Sequence, residues 1–270
     1  YNKESLLLSD QLFTKKSIQY IKALKLKASL HTSVGDFKEA VHDYEQSYGL
    51  ENELYGKNNI IAAQTKIQLL LCQYKNKSFS DSIENELLLN VKIIIEQFQD
   101  KKFTPMVAEV LTQLAIFQIE TSNLEKAEEN LDKANEIWLE YLKLKKGNKH
   151  SAKISYLKGI IYQFQENYPE ALIHYTNSSE IYESIFSETH PDYVHALTKI
   201  AQVQYITGAK EEALKTTEKS TALNLKLIEK YFPILSERAK AQFWKIHRVD
   251  FEFYNSLAFE FIDQKPKLVG

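Results

Sequence analysis

Four stretches of this chain share one pattern: GDFKEA at 35–40, SNLEKA at 122–127, ENYPEA at 166–171 and GAKEEA at 208–213. Each is a short turn, then charged residues, then an alanine. With Ala40, Ala127, Ala171 and Ala213 as anchors, and Ser82 of KSFSDS in the equivalent place, successive spacings are 42, 45, 44 and 42 residues. A near-fixed period in this range is the signature of a solenoid, a row of supersecondary units stacked side by side.

Other positions keep the same register. Twelve residues before the anchors stand Ala28, Leu70, Ala115, Gly159 and Ala201, and seven after stand Ser47, Leu89, Ala134, Ser178 and Ser220. Two helices joined by a short turn approach closely where both carry a small side chain near the crossing. Fifteen after the anchors, Tyr55, Leu142, Phe186 and Ile228 are apolar and Gln97 is not. The second repeat fits least well. In the turns, Gly35, Asn123, Asn167 and Gly208 suit the backbone that ends a helix, while Pro105, Pro169 and Pro191 suit the first turn of the next. With 7 Gly and 5 Pro in 270 residues, loops are few and short.

The expected fold is all-α: a right-handed superhelical solenoid of antiparallel helix pairs with a long C-terminal capping helix. The pairs are placed at 14–34 with 37–54, 57–76 with 79–100, 104–121 with 124–145, 149–166 with 169–187, and 190–207 with 210–231. These columns of small residues resemble the tetratricopeptide repeat over residues 14–231. The longer period, and FSETHPDYVHAL at 186–197, are similar to repeats of the kinesin light chain type.

Both ends of the array carry expectations. Residues 1–13, ending in Phe13, read as the second helix of a preceding repeat, so a natural chain continuing upstream is expected. After Ser236, a plausible N-cap, apolar residues recur at 239, 243, 246, 253, 257 and 261, skipping 250, which predicts one long capping helix over 236–263. Residues 264–270 read as a linker. YFPILSERAKAQFWKIHRVDFEFYNSLAF at 231–259 resembles the segment that joins repeats to the caspase-like CHAT domain in bacterial tetratricopeptide–CHAT proteins. That resemblance implies an adjacent C-terminal cysteine protease-like domain, whose catalytic residues lie outside this sequence, and a bacterial protein; a cytoplasmic location is a separate expectation.

Composition disfavours several function classes. With 34 basic and 36 acidic residues the net charge is −2, and the arginines are Arg238 and Arg248 alone, so no nucleic-acid partner is expected. No apolar run approaches the length of a membrane span. Cys72, in IQLLLCQY, reads as a small core residue. The seven histidines show no metal-ligand spacing, and His190, before Pro191, reads as a capping residue. The acidic clusters ENE (51–53), EKAEEN (125–130) and KEEA (210–213) read as helix starts or solvated faces. No glycine-rich phosphate loop is present. Neither cofactor, metal nor catalytic residue is expected, and the chain is not read as an enzyme.

What remains is surface. In this architecture the first helix of each pair lines the concave side, where a partner lies. Counting back from the anchors gives candidate partner-binding residues Lys22, Lys25, Gln64, Glu109, Thr112, Lys153, Tyr156, His195, Thr198 and Gln202. The Lys/Asn set by which chaperone-binding members clamp a carboxylate is missing, since Lys25 is followed by Ser29 rather than Asn. The mixture suits an extended or helical peptide of a protein partner. A structural or oligomerisation scaffold without a peptide groove is the alternative.

Overall fold

The computed structural model describes residues 17–33, 35–56, 58–77, 81–98, 104–143, 147–188, 190–235 and 237–261. Among them the backbone forms eleven α-helices and no strand. They fall into two compact units, residues 1–121 and 122–270. The first holds α1 (Ile18–Ser33), α2 (Phe37–Tyr55), α3 (Ile60–Lys75), α4 (Asp81–Gln97) and α5 (Pro105–Glu120). The second holds α6 (Leu124–Leu142), α7 (Lys149–Phe164), α8 (Tyr168–Ile185), α9 (Pro191–Ile206), α10 (Lys210–Tyr231) and α11 (Glu237–Glu260). Within each unit every helix packs on the next in sequence. The upstream helix through Phe13, the Ser236 cap, the 264–270 linker and the side chains of Ala239 and Ile246 lie outside what is described.

Burial fixes the register of the repeat and corrects one anchor. On α2, Ala40, Tyr44, Ser47 and Glu51 form one buried stripe with steps of 4, 3 and 4 residues. The same steps place Ile83, Leu87, Asn90 and Ile94 inside α4, whereas Ser82 and Leu89 are exposed. Corresponding stripes run from Ala127 on α6, Ala171 on α8 and Ala213 on α10, and no member of any stripe is more than 8% exposed. The second anchor is therefore Ile83, and the spacings become 43, 44, 44 and 42. Fifteen residues on stands Phe98 in place of Gln97, which restores the apolar column.

The cause of the slip is the turn. Gly35, Lys77, Ser122, Glu166 and Gly208 all adopt positive φ, between 59° and 86°. Five residues separate this left-handed position from its anchor in four repeats, and six separate Lys77 from Ile83. The left-handed residue ends the first helix in a Schellman pattern. Asp36 N–H donates to the His31 carbonyl at 2.8 Å, Asn167 N–H to that of Tyr162 at 2.9 Å and Ala209 N–H to that of Gln204 at 2.9 Å. Asn123 and Asn167 are thus not the left-handed residues the sequence suggested: their φ values are −89° and −85°, and they stand at the N-cap positions of the following helices, where Asn167 accepts from Glu170 N–H. Ser122 and Glu166 bear the strained position instead.

The small column has a steric reason that is plainest at Gly159. A Cβ there would meet Cδ1 and Cε1 of Tyr175 at 2.6 Å. Tyr175 is fully buried, its hydroxyl donating to Gln163 Oε1 at 2.8 Å. A large buried side chain of this kind contributes about 1.5–3 kcal/mol, and here α8 supplies the bulk while Gly159 of α7 makes room. In the first unit Cys72 is indeed a core residue, packed with Ala28, Ala40, Tyr44 and Leu69. Burial pushes its thiol pKa up, and Thr32 Oγ1 lies 3.3 Å from its sulfur.

One acidic cluster is not on an outer face. Glu51 is 0% exposed and accepts from Lys25 Nζ at 3.1 Å, and buried Asp43 accepts from Lys27 Nζ at 2.6 Å. Charges leave water at this cost only when paired, and these are. At the other end, α11 runs 24 residues without a turn near 250. Its Leu257 and Phe261 pack against Ala213 and Leu214 of α10. No helix among the described residues is long and apolar enough to cross a membrane.

Candidate functional site

The second unit carries the candidate site. Pro191 at the first turn and His190 at the N-cap, its ring nitrogen accepting from Asp192 N–H at 3.3 Å, set the start of α9. Asn148 caps α7 in the same way, accepting from His150 N–H at 2.9 Å and Ser151 N–H at 3.2 Å. With their starts fixed, α7 and α9 present matching faces three and four residues apart.

Near these N-termini is a cavity of about 280 Å³ lined by Lys153, Tyr156, Leu157, Tyr182, Asp192 and His195. Three of the residues chosen from sequence, Lys153, Tyr156 and His195, are thereby brought together. The Tyr156 ring packs on Tyr175 with centroids 5.6 Å apart. Burial pushes its phenol pKa up to about 12, and the carboxylates of Asp250 and Asp192 add to the shift. Tyr182 is shifted upward too, first by burial and then by the carboxylate of Asp192. Both phenols are therefore neutral hydrogen-bonding groups near neutral pH. Lys153 is exposed and free of ion pairs among the described residues. The cavity thus offers a mobile cation, an anion, an imidazole and two aromatic walls.

Further along the same helices is a second cavity of about 310 Å³, lined by Ile160, Gln163, Phe164, Tyr168, Lys199 and Ile206. Phe164 is 66% exposed, an unusual state for a side chain of that size. Lys199 is the polar floor. Its Nζ donates to Gln202 Oε1 at 3.2 Å, and burial lowers its pKa while Asp250 acts in the opposite sense.

The other candidates are placed differently. Thr198 is buried and donates to the Val194 carbonyl at 3.2 Å, and Gln202 is occupied by Lys199. In the first unit, Thr112 is buried and donates to the Ala108 carbonyl at 2.8 Å. Both threonines are buried and bond to a carbonyl of their own helix, so neither hydroxyl is presented to a partner. Lys25 is tied to Glu51, and Glu109 accepts from Gln113 Nε2 at 3.3 Å. Gln64 is half-buried on α3 and Lys22 exposed on α1. None of these five shares the cavities of the second unit.

Sequence counting missed Asp192, Tyr182, Phe164 and Lys199. The first two belong to a helix start and to a second helix, off the counted columns. Phe164 and Ile206 occupy equivalent places in successive repeats, five residues after Gly159 and Ala201, and that coincidence of apolar residues at a polar edge was a usable signal. No group of three or more His, Cys, Asp or Glu among the described residues is arranged to hold a metal ion.

Residues 150–226, spanning both cavities, match the tetratricopeptide repeat family. No curated protein matches the chain. A putative kinesin light chain from Podosopora anserina with nearly identical TPR-like repeats has a TM-score of 0.59 at 16% identity, over 77% of this chain and 96% of its own. BtubC from P. vanneervenii gives 0.65 at 16% identity, over 84% and 89%. A Rap protein complexed with Competence and Sporulation Factor gives 0.67 at 13% identity, over 99% and 80%. At these identities the likeness is one of fold, and the fold is that of a tetratricopeptide-like array of helix pairs.

Proposed function

We propose that the second unit is a protein-interaction surface that takes an extended or helical peptide along α7 and α9. The observation that carries this reading is the pair of cavities on one first-helix face, with Lys153, His195 and Lys199 in no ion pair among the described residues, beside exposed Phe164 and Ile206. Unmatched charge beside open apolar surface is what a binding face leaves for its partner. Structures of Rap proteins with Competence and Sporulation Factor and with the Phr* peptide support the capacity of such a fold to hold peptides. Lys153, Tyr156 and His195 are the lead contacts, with Gln202 at their edge. Lys22, Lys25, Gln64 and Glu109 are separate candidates on the first unit.

By the resemblance of residues 231–259, the partner-bound array regulates or targets an adjacent C-terminal caspase-like domain of a bacterial protein; a cytoplasmic location is a separate reading. The segment itself performs recognition and no catalysis. The test is selection of peptides from a displayed library on this chain, followed by affinity measurement. Lys153→Glu and Tyr156→Phe together weaken the selected peptide by more than about 1 kcal/mol with an unchanged melting temperature. Equal affinity for variant and wild type discards the groove.

One observation favours a second reading, assembly. Trp244 stacks on Phe251 with centroids 5.7 Å apart, and Trp244, Val249 and Phe259 are exposed on α11. Light scattering on the chain decides: a monomer at micromolar concentration removes the scaffold reading.

A further inference from the structure

The two cavities of the second unit differ in charge. Lys153 and Asp192 both line the smaller one, which therefore carries both signs. The larger one is lined by Lys199 and, among the described residues, by no Asp or Glu. Lys199 is in no ion pair among those residues, and the buried Asp250 carboxylate is taken by Asn224 Nδ2 at 2.9 Å.

Hydrogen bonding gives the larger cavity the same sign. Gln202 Oε1 accepts from Lys199 Nζ at 3.2 Å, and Gln163 Oε1 accepts from the Tyr175 hydroxyl at 2.8 Å. Both amide oxygens are thereby occupied. What the cavity has left to offer is N–H, from the rest of the ammonium and from the Gln163 amide. Donors beside the apolar walls of Ile160, Phe164 and Ile206 call for an acceptor, and a cation among the donors calls for a charged one. Lys199 is half-buried, where little water screens its charge; burial lowers its pKa, and a bound anion opposes that shift. A single lysine without arginine matches a singly charged carboxylate better than a phosphate. A volume of about 310 Å³ is at the small end for ligand pockets and suits side chains rather than a cofactor.

Placement along the helices says where on a peptide that carboxylate belongs. Phe164 ends α7 and Ile206 ends α9, seven residues or about 10 Å beyond Lys199. Tyr156 and the smaller cavity lie on the other side, toward the helix N-termini. A peptide that ended at Lys199 would leave one of these stretches uncovered, whereas a carboxylate on a side chain within the peptide lets the chain cover both.

We propose that the larger cavity is a subsite for an acidic side chain, Asp or Glu, carried within the bound peptide, with Lys199 as its cation and with Phe164 and Ile206 receiving an apolar neighbour. This rests on the peptide-groove reading and adds to it the charge the peptide bears.

The probes are acetyl-leucyl-glutamyl-leucinamide, its glutaminyl twin, and acetyl-leucyl-glutaminyl-leucine, which moves the carboxylate to the end of the peptide. Each is titrated into the full chain, with the methyl shifts of Ile160 and Ile206 reporting occupancy. The glutamyl probe binds about tenfold more tightly than either of the others, and Lys199→Met and Lys199→Gln each reduce that gap to within about twofold. Lys226→Met, which removes an exposed lysine of α10, leaves the gap in place. Equal or tighter binding of either other probe, or a gap that survives both Lys199 variants, overturns the proposal. Shifts of Ile160 and Ile206 with protein concentration alone mean that a second copy fills the cavity, and overturn it too. The groove reading is judged separately, by whether the displayed library yields a binder that shifts those methyls. Such a binder with no glutamyl preference among the probes leaves the groove and removes its acidic subsite. Absence of binding by probes and library alike removes both.

Discussion

Along the first helices of the first unit, Gln68 of α3 donates to Gln113 of α5 at 2.8 Å, and Lys75 of α3 pairs with Glu120 of α5. The matching places of the second unit hold Leu157 and Lys199, and Phe164 and Ile206, across α7 and α9. No bridge joins those pairs among the described residues, and two cavities of about 280 and 310 Å³ lie there instead. One scaffold thus carries a face tied together by polar bridges in one unit and an open face in the other. The backbone repeat does not decide which face can receive a partner. Side chains that satisfy each other across neighbouring helices close it, and side chains left unsatisfied keep it open.

The largest expected effect tests the packing under the open face. Gly159→Ala forces a Cβ into the ring of Tyr175, which is fixed by burial and by Gln163, and destabilises the second unit by about 2–3 kcal/mol. Chemical denaturation, with hydrogen exchange assigning the loss to α7 and α8, checks it.

Next is a pH dependence peculiar to the second unit. Burial, with His195 adding, lowers the pKa of His247 from 6.5 to about 4. The unfolded chain therefore takes up the proton first, so stability is complete above the unfolded value and falls as pH drops toward the folded one. Asp250, pushed upward mainly by burial, acts in the opposite sense as it protonates and offsets part of the loss. A net loss of about 2 kcal/mol across that window is expected in thermal melts, and His247→Phe flattens it.

A smaller effect comes from exchanging the faces. Phe164→Lys with Ile206→Glu copies the Lys75–Glu120 bridge into the second unit and weakens a selected peptide by about tenfold, near 1.4 kcal/mol. The reverse change, Lys75→Phe with Glu120→Ile, leaves that affinity unchanged. Smallest of all, Glu166→Gly relieves a left-handed residue at φ 59° and raises stability by about 0.5–1 kcal/mol in the same melts.

These elements also mark what a single sequence discloses. Helix pairs were legible because Ala40, Ala127, Ala171 and Ala213 repeat a steric requirement that small side chains alone meet. The second anchor was not, because Ile83 fills a column that is small elsewhere and exposed Ser82 stands beside it. Lys77 gave no warning of its left-handed backbone, since nothing in a lysine advertises that conformation. Within the site, Lys153, Tyr156 and His195 followed from helical counting, because all three lie on first-helix faces. Glu51 read as part of a helix start or solvated face because its partner Lys25 sits on another helix, at a distance along the chain that the sequence does not reveal. The skipped place at 250 in the apolar stripe of α11 was the one trace of a buried carboxylate.

Methyl chemical-shift mapping of a library-selected peptide on this chain tests most directly whether the open face is the binding face. Leu157, Ile160 and Ile206 shift with the peptide, and their counterparts on the first unit's inner columns, Leu71 and Ile116, stay in place. Shifts centred on Leu71 and Ile116, with Leu157, Ile160 and Ile206 unmoved, contradict the account.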